Sequence, residues 1–160
     1  MVGFILNKIQ TVLIIIGSVV LIALLYTQRD AISIKDFFIP NVSAVKIGEV
    51  LLEVEIASTT ESRVSGLSGR EDLGKYDGML FIFPNAGYPE IWMKDMLFPI
   101  DLVWIDENLK VISIQKNVLP STYPEKFRPP RPAKYLIETG IHFSDTFNIR
   151  EGLKVELYID

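Results

Sequence analysis

The sequence predicts an α+β domain. Its sheet is mainly antiparallel and barrel-like in curl, it carries two short helices, and one N-terminal transmembrane helix precedes it. Three observations carry that expectation. Apolar and charged residues alternate with period two over 49–56 and again over 153–159. Glycine and proline punctuate the chain too often for long helices after residue 30. Twenty residues between Lys8 and Arg29 carry no charge at all.

That uncharged stretch holds VLIIIGSVVLIALLY at Val12 to Tyr26. At about 1.5 Å per residue, a helix from Ile9 to Tyr26 reaches roughly 27 Å, close to a hydrocarbon core of about 30 Å. Tyr26 sits where an interfacial aromatic belongs. A cleaved secretory signal would need a shorter apolar core and a small-residue cleavage site. No such site stands near Leu24 to Gln28. A buried core helix would show a polar face. The expected organisation is therefore a membrane anchor over 1–29, a linker over 30–44 and a folded domain over 45–160, single-pass and with the domain extracytoplasmic.

Within the domain, Val50, Leu52, Val54 and Ile56 share one strand face, and Glu49, Glu53 and Glu55 share the other. Gly48 predicts a tight hairpin to a preceding strand over Val45–Ile47. Ser58 opens S-T-T-E, a capping-box pattern with Glu61 at its fourth position, and Gly66 and Gly69 keep that helix short. Gly78–Phe83 is apolar on both faces and reads as a central strand. Glu90–Met96, Ile100–Ile105, Val111–Val118 and Lys134–Thr139 read as further strands. Five of nine prolines fall in 120–132, which bars that segment from a sheet interior. Gly140 and Ser144 bracket a short helix that ends near Ile149, and the 153–159 alternation closes the sheet.

Composition excludes several kinds of chemistry. With no cysteine there is no disulfide, thiolate nucleophile or cysteine metal site, and one histidine, His142, cannot build a multi-histidine centre. His142 is expected at the surface or at a helix cap. The net charge of −4 argues against a nucleic-acid footprint. No phosphate-cradling glycine loop, nucleophile elbow or zinc spacing is present. The reading calls for no cofactor, no metal and no catalytic residue.

Four charged residues are the main candidates for a site. Arg63 and Arg70 are seven apart, so a continuing helix would place them on one face. Asp101 shares a strand face with Val103 and Ile105, and Glu138 stands beside Leu136. Buried charges are costly unless paired, so each carboxylate is expected to hold Arg63 or Arg70, at a loss of about 3–5 kcal/mol if a partner is removed. The functional version of the same cluster is an arginine-lined anion pocket. Trp92 and Lys94 add an aromatic wall and a charged handle suited to stacking on a sugar or ring. Lys126, Arg128, Arg131 and Lys134 give the proline-rich segment four positive charges over nine residues. That run suits contact with an anionic polymer or lipid headgroups, or simply a solvated loop.

Five blocks occur in a fixed order: R-x-x-G-L-S-G-R at Arg63–Arg70, G-M-L-F-I-F at Gly78–Phe83, W-M-K-D-M at Trp92–Met96, P-I-D-L-V-W-I-D at Pro99–Asp106, and Y-L-I-E-T-G at Tyr135–Gly140. On these the chain resembles the DUF192 (UPF0127) family over roughly Val45 to Asp160. The resemblance implies a domain often preceded by a signal or anchor, and it brings no settled biochemical role. Asp95 and Met96 depart from the asparagine and small hydroxyl residue common there, and Leu153 departs from an aspartate that commonly follows the glycine.

The function expected from these readings is a membrane-anchored extracytoplasmic binding module for an anionic or sugar-like envelope molecule, such as a small ligand or a glycan. Two other readings stand beside it. One is a protein-interaction module using segment 120–132. The other is an acid/base hydrolase using Asp101 and Glu138.

Overall fold

In the computed structural model, which describes residues 42–159, the fold begins with a hairpin. Strands β1 (Val42–Ile47) and β2 (Val50–Ala57) pair antiparallel around Gly48, which takes φ +58. Glycine tolerates that left-handed conformation because it has no Cβ to clash. The first strand starts three residues before the expected Val45. The anchor expected over 1–29 and most of the linker lie outside the described residues. Among the described residues, no helix is long and apolar enough to cross a membrane.

Helix α1 (Thr60–Ser65) follows. Its cap is a reciprocal pair, with Thr59 accepting from the Ser62 N–H and Ser62 returning a bond to the Thr59 N–H. The expected box was one residue earlier, at Ser58 and Glu61. Glu61 still lies in the first turn, where a negative charge suits the helix dipole. The chain then crosses to β3 (Gly78–Gly87), which pairs with β2 in parallel. A parallel pair needs a long crossover, and residues 58–77 supply it. Strands β4 (Ile100–Ile105), β5 (Val111–Val118), β6 (Ala133–Gly140) and β7 (Val155–Ile159) complete the sheet, and α2 (Phe143–Thr146) lies between the last two. A 3-10 turn at Pro120–Thr122 follows β5.

The strand order is β5-β4-β6-β3-β2-β1-β7, and every pairing except β2/β3 is antiparallel. The sheet is mixed and open rather than a closed barrel. Its two edge strands meet only at one corner. There Lys110 bridges Lys154, the Val111 N–H donates to Leu153, and the Val155 N–H donates to Leu109. The expected strand over Glu90–Met96 is absent. Only Ile91 pairs, with Phe127, and the chain then turns so that the Met96 N–H meets the Met93 carbonyl. Buried Met93 and Met96 are three apart, a turn spacing, and Asp95 takes φ 56. Neither feature fits a pleated strand with period two.

The core has two faces. Met79, Phe81, Ile100, Leu102, Trp104 and Leu136 belong to one apolar cluster. Leu80, Val103, Ile105, Ile137, Val45 and Val54 belong to the other. Alternation along β3, β4 and β6 feeds both, which is why these strands read as apolar runs.

One substitution probes this frame. A Cβ at Gly78 would stand 2.5 Å from the Glu138 carbonyl oxygen, which is backbone and cannot swing aside. Gly78→Ala is therefore expected to destabilise the domain by about 2 kcal/mol or more, by analogy with overpacking in a core. Chemical denaturation measures it, and a loss below about 0.5 kcal/mol would contradict the close approach.

Candidate functional site

Strand register decides where the two buried carboxyls point. Asp101 on β4 pairs with Thr139 on β6, whereas Leu102 pairs with Glu138. Residues opposite one another share a face, and neighbours along a strand face opposite ways. Asp101 and Glu138 therefore project from opposite sides of the sheet. They cannot flank one scissile bond, and the two-carboxylate hydrolase has no common site in this fold.

Asp101 is fully buried among the residues of the second cluster. Its carboxyl accepts the Asn117 N–H at 2.8 Å and the Ser144 N–H at 2.9 Å. It thus ties the end of β5 and the start of α2 to β4. The expected burial is present, but the partners are main-chain amides rather than an arginine. Amides suffice because a carboxyl needs donors, and the chain brings two within reach.

The arginines are engaged elsewhere. Helix α1 stops at Ser65 and Gly66 takes φ 48, so Arg70 lies beyond the helix and not on its face. Arg70 reaches across to Glu55 on β2 in a two-pronged pair, at 2.6 and 2.8 Å. This hydrogen bonding holds the Glu55 carboxyl below its usual range. Arg63 donates one guanidinium nitrogen to the Ser58 carbonyl and, at 3.0 Å, to the Ile82 carbonyl. It fastens the entry of α1 to β3. The expected pairing of Arg63 or Arg70 with Asp101 or Glu138 does not occur.

The first sheet face opens into a cleft of about 220 Å³. Glu138 lies in its lining with Phe81 and Phe83 of β3, Ile91 and Trp92 of the irregular segment, and Arg63 of α1. Only 4% of Glu138 is exposed. Across the ladders its neighbours are Met79 on one side and Leu102 on the other. Neither can solvate a charge. Burial pushes the Glu138 carboxyl up to about 8, so near neutral pH it holds its proton. A neutral carboxyl both donates and accepts a hydrogen bond.

Glu90 lines the outer part of the cleft, where it is held by Lys126 at 2.6 Å and by Arg128. Trp92 is 47% exposed, meets Tyr123 edge-on at 6.4 Å between ring centres, and has the Lys126 ammonium 5.6 Å from its ring. The loop after α1 is pinned to the same segment: Ser68 donates to the Lys94 carbonyl at 2.9 Å, and the Gly69 N–H to Asp95 at 2.7 Å.

Of the six candidate ligand residues, Arg63, Trp92 and Glu138 line the cleft. Arg70, Lys94 and Asp101 do not. Lys94 is exposed beside it, Arg70 serves Glu55, and Asp101 faces the other side. His142 is exposed at the start of α2 in a left-handed conformation and makes no side-chain cap bond. Phe81, Phe83, Glu90 and Ile91 were missed as site residues. Phe81 and Phe83 were legible, because their i, i+2 spacing puts two aromatic rings on one strand face. Among the described residues, no cluster of His, Asp and Glu side chains has the arrangement to hold a metal ion.

The DUF192 family model, described as uncharacterized ACR, matches residues 43–157. The chain belongs to the DUF192 family. Two solved structures are similar to it. One is a protein of unknown function from Novosphingobium aromaticivorans DSM 12444, 24% identical, with a TM-score of 0.66 over 72% of this chain and 84% of that one. The other is a protein from Sinorhizobium meliloti 1021 described as a candidate transcription regulator, 24% identical, with a TM-score of 0.67 over 71% and 92%. At that identity they share the fold. A search of the curated proteins finds no match. All seven DUF192 strands lie within 42–159, and the Sinorhizobium protein spends nearly its whole length on the same fold. The described strands all belong to one compact unit, Pro40–Asp160, which holds the complete sheet and both apolar clusters.

Two outcomes test the site's electrostatics. The unfolded Glu138 ionises near its ordinary 4.5, while the folded one keeps its proton to about 8. Stability from this group is therefore fully present below pH 4.5 and is lost as pH rises through 8, at about 1.36 kcal/mol per unit of separation. Glu138→Gln is expected to abolish that fall, so wild type and variant converge in acid and separate by several kcal/mol above pH 8. Parallel denaturation curves at every pH would refute the buried acid. Arg70→Gln, by contrast, should cost under about 1 kcal/mol, because side chains 38% and 32% exposed leave that pair well screened.

Proposed function

We propose that this DUF192 domain is a binding module whose cleft takes a small, uncharged, hydroxyl-bearing ring compound of the sugar-like class. The single observation that supports this most is Glu138, an acid buried with no cationic partner among the described residues, at a wall of a cleft whose lining is mostly apolar. A protonated carboxyl offers a ligand hydroxyl a donor and an acceptor at once. Trp92 and Phe83 offer ring faces for the ligand's apolar side.

The geometry favours the sugar-like half of the sequence expectation over the anionic half. An anion site would need free cationic donors in the cleft. Arg63 is the guanidinium that lines it; one of its nitrogens serves the Ser58 and Ile82 carbonyls and the other lies 3.4 Å from the Thr60 hydroxyl. Lys126 and Arg128, which share Glu90, do not line the cleft and stay 47% and 61% exposed outside it. An enveloped location for the domain follows only from the apolar segment near the N-terminus, and the cleft is compatible with an extracytoplasmic glycan.

Titration of residues 42–160 with neutral disaccharides and with sugar phosphates, followed by thermal shift, tests this reading. Neutral sugars are expected to raise the melting temperature, more at pH 6 than at pH 9.5. Trp92→Ala should weaken binding about tenfold or more, as loss of a stacked ring does. Glu138→Gln should keep binding and lose its pH dependence, since an amide also donates and accepts. Sugar phosphates binding in place of neutral sugars, or binding indifferent to Trp92, would sink the proposal.

A further inference from the structure

The segment 119–134 differs in charge from the rest of the chain. It carries Lys126, Arg128, Arg131 and Lys134 against one acid, Glu125, in a protein whose net charge is −4. It is not a free loop. Ile91 and Phe127 exchange main-chain hydrogen bonds at 3.0 and 2.8 Å, and Lys126 and Arg128 share Glu90. The result is a fixed platform at the cleft mouth on which large apolar side chains stand exposed. Tyr88, Trp92, Leu119 and Tyr123 are each at least 47% exposed. Leu119 and Tyr123 bracket the 3-10 turn, where the Thr122 N–H donates to Leu119 and the Tyr123 N–H to Pro120.

Indole and phenol rings beside lysine and arginine are the side chains that suit a membrane–water interface. The rings prefer the headgroup level, and the cations meet anionic headgroups. A protein–protein patch would instead be depleted in lysine at its centre. Chain length also fits. The uncharged stretch ends at Gln28 and β1 begins at Val42. The residues between them span at most roughly 45 Å when fully extended, so a bilayer holding that stretch would stay within reach of the domain.

We infer that the rim formed by Tyr88, Trp92, Leu119, Tyr123, Lys126 and Arg128 docks on a bilayer surface bearing anionic lipid headgroups. Trp92 lines the cleft and has Lys126 and Tyr123 against its ring, so docking through them would bring the cleft close to molecules carried at the membrane. The inference shares Trp92 with the ligand reading but rests on Leu119, Tyr123, Lys126 and Arg128 beside it, none of which lines the cleft, so it survives that reading's failure.

The test uses residues 42–160, without the apolar stretch, and vesicles of phosphatidylcholine with or without phosphatidylglycerol. Co-sedimentation should occur with the anionic vesicles and fall steeply as salt is raised. The protein has two tryptophans, and Trp104 is fully buried, so Trp92 reports the contact. Its emission should shift to the blue on anionic vesicles. The double variant Lys126→Gln, Arg128→Gln should bind about tenfold more weakly, from the loss of two surface charges. Lys154→Gln, an exposed charge beside the β7 edge, should bind as wild type does. Equal binding to neutral vesicles, no binding to either, or a Trp92 shift caused by self-association without lipid would each overturn the inference.

Discussion

A one-residue step along β6 separates the two buried carboxyls of this domain, and much of its chemistry depends on that step. Thr139 sits opposite Asp101, and Glu138 sits opposite Leu102 and Met79. A slip of one residue would exchange the faces of every side chain on the strand. Glu138 would then meet the second apolar cluster, and Thr139 would enter the cleft. Two things resist the slip. β6 is flanked by β3 and β4 on both sides. Gly78 also lets β3 approach the Glu138 carbonyl more closely than any side chain would permit. The buried acid of the cleft is thus positioned by backbone contacts on a strand flanked on both sides.

The two carboxyls show two solutions to one cost. An ionised group in an apolar interior is expensive, and a protein can satisfy it with donors or let it keep its proton. Asp101 takes two main-chain amides and becomes a brace between β4, β5 and α2. Glu138 has an apolar neighbour on each side and keeps its proton. The first solution gives each Asp101 oxygen a main-chain donor on the face away from the cleft. The second leaves a donor and an acceptor facing a cleft. The same contrast divides the arginines. Arg70 is engaged by the Glu55 carboxyl, whereas Arg63 gives one nitrogen to two main-chain carbonyls and sets the other 3.4 Å from the Thr60 hydroxyl.

Much of the frame was legible because it is local. The β1–β2 hairpin follows from Gly48 and the glutamate alternation, and β4, β5, β6 and β7 follow from period and turn residues. What was not legible is long-range. The parallel β2–β3 pairing needs knowledge of where the crossover returns, and open versus closed edges depend on the contact near Lys110 and Lys154. The segment 90–96 misled because Ile91, Met93 and Met96 are apolar, and apolar residues there read as pleat. The burial of the two methionines comes instead from a turn that puts both into the first apolar cluster, Met96 at the cleft lining. At the site, residue type identified Glu138, Trp92 and Arg63. Face could not be read for Asp101 against Glu138, because two charges in separate strands have no relative orientation until register is known.

That turn also explains why the site lies at this position. A strand through 90–96 would have paired with the sheet or covered it, and its regular pleat would have filled the first face with side chains. The irregular course leaves the side chain of Trp92 at the rim and Met96 below it, with space between. Asp95 makes the turn possible, since aspartate and asparagine accept the left-handed conformation better than most residues. Its departure from the asparagine common in the DUF192 block therefore preserves the backbone requirement. Met96 replaces a small hydroxyl residue with a long apolar one, which removes a polar group from the cleft lining. An apolar side chain there offers nothing that could solvate an ionised acid on the same wall, in keeping with the burial that keeps Glu138 protonated.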